Sequence, residues 1–589
     1  MIAIRWMIGL AGLFWAAVSF AAEPVSIDPL LTKPLPSGLV MHARILNPER
    51  LESHPLVQRL VALLDTSQEW RRAHEETIGL IQFTEAVRFV DRQLKSVGID
   101  GGIKALWKRG ALLAVGEGDK PPAAGVFLAK DEAAAKAFAD ILQQWAETEL
   151  GLKYEPKEIE GTTVLAAGDL HVVNLGHRVV WANRSEAMAK VLAHVQSVPT
   201  EAIAATDPTL LADLHVSLAA VRKNPDFVKG LESPNSDVGL ITFFGGWLDL
   251  LRRHERLSIG LHSGDEGTIS MKVGFREPTG PRSAALAPFF AHGEQKIAPP
   301  LHPPGTIQSF SWYRDYIGLW NNRAELAQEE ARRRAEQGNE DAGKQLQVFG
   351  TSFTPVELIA LLGPHHRVVI TEQEKAPYDK VAVDNVIPAA AFLIDLRDEE
   401  KFRKLTTPFV NLLGLIQGGE QRVLTVRKDY KGASVLSYVF QETDSEVRMR
   451  SRDQYNFRVS AAITRGHFLI GTNPTIVQAL IDELDKPAES FPDPGPITES
   501  QQFSFPGLAR QLNRMKSNAI RRVVLDTGWT VEKAEHEYQV ALDLLASLGQ
   551  ATVRLGDDPD GFGIEFVVGQ SPAVATPGLS AARPQTINH

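Results

Sequence analysis

No cysteine occurs anywhere in the 589 residues. That absence excludes disulfide staples, thiolate metal ligands, a thiol nucleophile and an acyl-lipid attachment site behind a leader. Long apolar runs are missing beyond the N-terminus, since even the stretch Asp237 to Leu251 is interrupted by Asp249. No later segment is therefore expected to span a bilayer. An excess of positive charge is missing as well. The net charge is −10, which argues against a nucleic-acid partner, because phosphate binding needs a dense basic surface. The easiest serine-nucleophile signatures are also absent: there is no Gly-x-Ser-x-Gly elbow and no Ser-x-x-Lys pair.

What is present begins with a leader. Arg5 supplies a positive start, Trp6 to Val18 an apolar stretch, and Ser19-Phe20-Ala21 a small-x-small cleavage site. Residues 1–21 are expected to be a signal peptide, placing the protein in the periplasm or outside the cell, with 22–35 as a short N-terminal segment.

The remainder repeats itself. Pro122 to Glu132 reappears as Pro388 to Glu399 with one residue inserted, and Gly161 to Leu165 reappears as Gly432 to Leu436. Gly176-His177 to Asn183 matches Gly466-His467 to Asn473. Matches in the same order imply two copies of one unit. The expected layout is unit one at 36–280 (parts 36–197 and 209–280), a linker at 281–303, unit two at 304–570 (parts 304–485 and 498–570) and a disordered tail at 571–589. The fold class expected is α+β: each unit a mostly antiparallel sheet with packed helices, plus a smaller helix and hairpin. Alternating Leu257/Ile259/Leu261 and Ile269/Met271/Val273 predict a hairpin with one face buried. The pairs Asp131-Glu132 and Asp398-Glu399 predict helix starts, and Asn183 or Ser185 and Asn473 or Thr475 predict further N-caps.

Motifs that resemble chemistry fail on their residues. Gly338 to Lys344 has phosphate-loop spacing, but Gln345 replaces the magnesium-binding hydroxyl and Glu340 and Asp341 would repel a triphosphate. A break in a surface helix is expected there. The pairs His74-Glu75, His254-Glu255 and His536-Glu537 lack the second histidine one turn on. His365-His366 would point to opposite sides of a strand. Gly556 to Gly561 is an acidic hairpin turn without the bidentate glutamate of a calcium loop. No metal and no other cofactor is expected.

Two features stand as candidate binding residues. His177 and His467 follow turn glycines at matching places in the two repeats. Trp312, Tyr313, Tyr316 and Trp320 form the densest aromatic run. Such amphipathic rings serve in cores, interfaces or recognition surfaces.

The order of Pro36, Pro122 to Glu132, Gly161 to Leu165 and Gly176 to Asn183, each with its second-copy partner, resembles exported bacterial proteins grouped as domains of unknown function. The resemblance covers most of the chain and brings no catalytic residues with it. The function expected is a non-catalytic binding or cell-envelope scaffold protein whose partner is an unknown protein or envelope component. The alternatives are a carrier of an apolar ligand and a hydrolase of unfamiliar type.

Overall fold

Segments whose side chains alternate about a pleat become strands. The first ten in one sheet are β1 (Leu39–Ile45), β2 (Ala111–Gly116), β3 (Ala123–Leu128), β4 (Glu155–Ile159), β5 (Thr162–Ala167), β6 (Leu170–Leu175), β7 (Arg178–Ala182), β8 (Leu210–Ser217), β9 (His254–Ser263) and β10 (Ile269–Pro278). Ten more follow: β11 (Thr306–Tyr313), β12 (Leu362–Thr371), β13 (Ala389–Leu396), β14 (Val423–Tyr430), β15 (Ala433–Phe440), β16 (Ser460–Thr464), β17 (His467–Gly471), β18 (Ile497–Ser504), β19 (Gln550–Asp558) and β20 (Gly561–Gly569). This is a computed structural model. It describes residues 26–569 except 32–38, 65, 68–90, 107, 119–120, 150, 152, 200–202, 205–206, 233–236, 265–266, 292–296, 349–352, 408–422, 450–451, 487–496 and 559–560. The leader, the His74-Glu75 pair, parts of the linkers and the tail lie outside the described residues.

The pairing runs in one continuous antiparallel series. In the first half the order is β10-β9-β8-β1-β2-β3-β7-β6-β5-β4. In the second half it is β20-β19-β18-β11-β12-β13-β17-β16-β15-β14. β10 pairs with β20, with Met271 opposite Phe566 and Gly274 opposite Gly563, so both series form one 20-stranded α+β sheet. The hairpins expected as smaller separate parts are continuous with that sheet. β8 and β18, neither anticipated as a strand, join each hairpin to β1 and β11. The outer edges are β4 and β14, whose Glu155, Lys157, Glu158, Arg427, Lys428 and Asp429 are exposed. Charged edge strands resist pairing with another chain.

Turns are set by residues that tolerate positive φ. Glu160-Gly161 (φ 51 and 70) and Lys431-Gly432 (φ 46 and 77) make matching two-residue hairpin turns between β4–β5 and β14–β15.

Helices start where side chains satisfy their free N–H groups. The principal ones are α1 (Pro55–Leu64), α2 (Glu132–Glu149), α3 (Ser185–Gln196), α4 (Val238–Arg253), α5 (Tyr316–Asn321), α6 (Glu329–Val348), α7 (Pro474–Leu484), α8 (Phe505–Arg514), α9 (Lys516–Thr527) and α10 (Val531–Ser547). Asp131 accepts from Ala134 N (2.8 Å) and Asp398 from Lys401 N (2.9 Å), as the acidic pairs predict. α6 runs unbroken through Gly338 to Lys344, so the expected break is absent. A single glycine costs a 20-residue helix too little to interrupt it.

One face of the first half buries Leu30, Val126, Val180 and Leu192 beneath α3. The matching face of the second buries Val369, Leu393, Leu469 and Leu480 beneath α7. Over the other face, α2 packs Ala135 and Phe138 against Val172 and Val179. The N-terminal segment is fixed by a buried ion pair: Arg178 donates to both Asp28 oxygens (2.6 and 3.0 Å) and to the carbonyls of Val198 and Pro199.

Candidate functional site

The sheet's two faces differ sharply across the central strands. One face is apolar. β10 contributes Met271 and Val273, opposite Phe566 and Ile564 of β20. The row continues through Ile259 and Leu214 on one side. On the other it passes through Val553, Gln501 and Phe310, then Val368 and Phe392. The opposite face is polar, with Lys272 opposite Glu565, Glu565 opposite Arg554, and His42, Arg44, Asp213, His215 and His262 farther along.

Among the described residues, helices cover the apolar face at its ends. At one end α4 brings Trp247, Leu250 and Leu251 onto Phe275, Phe562 and Leu555, with Leu319 of α5 joining the cluster. At the other, Val57 and Val61 of α1 meet Leu261 and Ile269. α10 reaches across to α1 there, where Glu537 accepts from Ser67 (2.5 Å) and His536 lies 3.1 Å from the Thr66 carbonyl. Between these ends the floor residues keep part of their surface exposed. Met271 is 38% exposed, and Ile259, Val273, Val553, Ile564 and Phe566 are partly exposed. The hairpin expected to have one face buried instead carries its apolar face half open.

The aromatic run is divided by the strand it ends. Trp312 lies on the apolar face, stacked on Phe310 (4.7 Å), His366 (5.4 Å) and Phe392 (5.8 Å). Tyr316, at the start of α5, leans on His366 at 4.9 Å. Tyr313 points the other way, buried against His365 at 5.8 Å. Trp320 sits apart beneath the Arg323 guanidinium, 4.6 Å from its ring. So Trp312 and Tyr316 come together, and Tyr313 and Trp320 do not join them. His365 and His366 do face opposite sides of β12, as expected.

Charge enters this end as a buried pair. The Arg314 guanidinium lies 3.2 Å from the Phe289 ring centroid and 3.1 Å from Glu499 Oε1. Burial pulls Arg314 down to about 10 and pushes Glu499 above the usual carboxylate range. His366 is 0% exposed, and burial holds it at about 4. It is therefore neutral at pH 7, with Nε2 donating to the Arg314 carbonyl at 3.0 Å.

The two candidate histidines lie away from this face and at different strand positions. The β6–β7 turn is Gly176-His177, with Leu175 opposite Arg178. The β16–β17 turn is Arg465-Gly466, with Thr464 opposite His467. His467 therefore occupies the place of Arg178, and His177 that of Gly466. The same one-residue slip holds at the strand ends. Asn183 accepts from Ala123 N and Thr472 from Ala390 N, while Arg184 and Asn473 are the N-cap residues. The expected Asn183 cap is thus corrected: that side chain pins a strand, and only Asn473 caps its helix, accepting from Ile476 N at 3.0 Å. His177 contacts Asp28 (3.0 Å), and His467 contacts Asp395 (2.9 Å) and the Arg465 carbonyl (2.6 Å). Asp28 and Asp395 are both held below the ordinary carboxylate range, because these hydrogen bonds and the neighbouring arginines outweigh burial, which acts in the opposite sense.

Ser185 Oγ lies 2.9 Å from His171 Nε2, but His171 Nδ1 meets the Asp169 backbone carbonyl (2.8 Å) and no carboxylate, so this pair lacks the third group of a triad. A second partial arrangement is on the polar face. His215 lies 3.4 Å from Asp213, and Ser258 is its cross-strand neighbour. Ser258, however, donates to the Gly274 carbonyl at 3.3 Å. His42 stacks on His215 at 4.6 Å and is lowered to about 4, by burial first and then by repulsion from His215 and Arg44. Among the described residues no group of three histidines or carboxylates is placed to hold a metal, and no helix is long and apolar enough to cross a membrane. No protein-family model, curated protein or solved structure matches the chain.

Sequence reasoning missed the half-open apolar face. Its signal was the alternation in β9 and β10, read as a buried face because nothing local says whether a helix will cover it.

Proposed function

We propose that this chain is an exported, non-catalytic binding protein whose ligand is apolar and lies on the sheet face shared by the two halves. The observation that carries the reading is Met271. It sits mid-floor on an apolar face and is 38% exposed, with partly exposed Val273, Ile564 and Phe566 around it. Contiguous apolar surface left open on a soluble chain is where ligands and partners bind. An apolar ligand suits this floor better than an enzyme's substrate, since Gln501 is the one polar side chain in the row running from Leu214 to Phe392.

Gene duplication accounts for the architecture. The strand order of the two halves is the same, and two equivalent edge strands joined antiparallel generate a pseudo-twofold axis between them. Ligands gather at such junctions. The likeness to exported bacterial proteins of unknown function, and export itself, rest on the sequence elements given above. Sequencing the N-terminus of secreted protein should read Ala22-Glu23-Pro24.

The test is binding of N-phenylnaphthylamine, a probe that brightens in apolar surroundings. We expect saturable fluorescence that a long-chain fatty acid displaces and that Val273→Asp with Phe566→Asp abolishes. The second reading, an envelope scaffold, draws on the same open face. It would be favoured if the probe fails to bind while cross-linking at Met271→Cys captures one protein in envelope preparations.

A further inference from the structure

Taking the shared face as the ligand's seat, we infer that the ligand is a long-chain amphiphile with an uncharged hydrogen-bonding head. The head sits on Gln308 and Gln501, and the chain runs across the junction toward the first half. The two halves bring matching strands to the floor but not matching side chains. Gln501 of β18 lies opposite Phe310 of β11, and Leu214 of β8 lies opposite Ala43 of β1. Gln308 lies opposite Phe503, and Met41 opposite Val216. At the junction the pairs Val273–Ile564 and Met271–Phe566 exchange under the same correspondence. Gln501 therefore takes the place of Leu214, and Gln308 that of Met41. All four are partly exposed, so exposure does not explain why this part of the floor is polar in one half alone.

Gln308 and Gln501 are diagonal neighbours on adjacent strands, near enough for two long side chains to serve one group. Among the described residues neither carboxamide has a hydrogen-bond partner. Each offers N–H donors and a carbonyl acceptor. Around them the floor is Phe310, Phe503, Val553 and Val368. A hydroxyl or amide brought onto such a floor needs partners that both donate and accept, and the carboxamides supply them. An ionised head gains less. Glu499, on the same face of β18, lies 3.1 Å from Arg314, and that pair offers a ligand no net charge. Burying an ion without a counter-charge costs far more than burying a hydroxyl.

The floor also gives the chain a direction. Toward β12 it is filled by the stacked rings of Phe310, Trp312 and Phe392. Toward β10 it stays apolar, and Met271 is 38% exposed. From β18 through β19, β20 and β10 to β9 is four strand spacings, or about 19 Å. A long alkyl chain spans that distance over Val553, Phe566, Met271 and Ile259, with no polar side chain in its path.

The experiment is displacement of N-phenylnaphthylamine from the full chain by hexadecanol and by hexadecyl methyl ether, which keeps the chain and loses the hydroxyl proton. It compares wild type with Gln308→Met plus Gln501→Leu, which gives the second half the side chains of the first. The variant should bind the probe within about twofold of wild type, which also shows that it folds. Its affinity for hexadecanol should fall about tenfold, and for the ether less than about threefold. In wild type, ω-bromohexadecanol should quench bimane at Ile259→Cys more than at Val368→Cys. In the glutamine variant the two sites should be quenched alike. Unchanged hexadecanol affinity, an equal loss for alcohol and ether, or stronger quenching at Val368→Cys overturns the inference and leaves the apolar floor standing. Wild type that does not bind the probe removes the floor as a ligand's seat and this inference with it.

Discussion

The middle strands of the two halves pair in the same order and carry different chemistry. On β1 and β8 the polar face carries His42, Arg44, Asp213 and His215; by the strand pairing, β11 and β18 place Ser309, Ser311, Ser500 and Gln502 there. Arg44 binds Asp213 and donates to the Leu31 carbonyl of the segment crossing that face. Ser311 donates to the Ala298 carbonyl of the segment crossing the other. An ion pair in one half and a hydroxyl in the other thus hold a covering strap in place. The lesson is that strand order is specified by the pleated alternation and the turns, while the polar contacts beneath each strap are interchangeable.

That comparison can be broken most severely at Arg178, whose counterpart is His467. Arg178→Met leaves Asp28 buried without its partner and should cost about 3–5 kcal/mol in denaturant unfolding. His467→Gln, at a pair that water reaches, should cost about 1 kcal/mol or less. Equal costs would mean the halves are held alike.

Acid sharpens the contrast next. His366 is fully buried and lowered to about 4, against about 6.5 unfolded. Between those values the unfolded chain binds more protons, so its contribution is complete above about 6.5 and is lost as pH falls toward about 4. The full loss is about 3 kcal/mol. His366→Phe should flatten that part of the stability–pH curve. His42 shows a shift of the same sense in the first half, but solvent reaches it, and His42→Gln should change the curve less.

The smallest effect has the opposite sign. The hydroxyls of Ser309 and Ser500 are buried and make no hydrogen bond. Ser500→Ala should therefore raise stability by about 0.5–1 kcal/mol, whereas Asp213→Ala, at the matching position, should lower it by about 3 kcal/mol or more by stranding Arg44. Thermal melts of both variants decide this.

The elements with regular alternation were legible in the sequence. Arg178–Ala182 and Ala389–Leu396 end where the apolar pattern ends, and the acidic pairs mark helix starts. β8 and β18 were not legible, because Asp213, Ser500 and Gln502 interrupt any apolar pattern while sitting inside a sheet. The histidine match slid by one residue because Gly176-His177 and Arg465-Gly466 place their turn glycines differently. Trp320 could not be separated from Trp312 by spacing, since a strand end and a helix start intervene. How far the apolar face is covered depends on which described helices pack on it, and no local pattern records that.

The chain's lack of cysteine makes the most direct test clean. A single bimane label is placed at Met271→Cys, on the apolar floor, or at Lys272→Cys, one residue away on the polar face. A brominated long-chain fatty acid is then titrated in. If an apolar ligand lies on the shared face, fluorescence is quenched at position 271 and spared at position 272. Equal quenching at both, or none at either, would contradict the account.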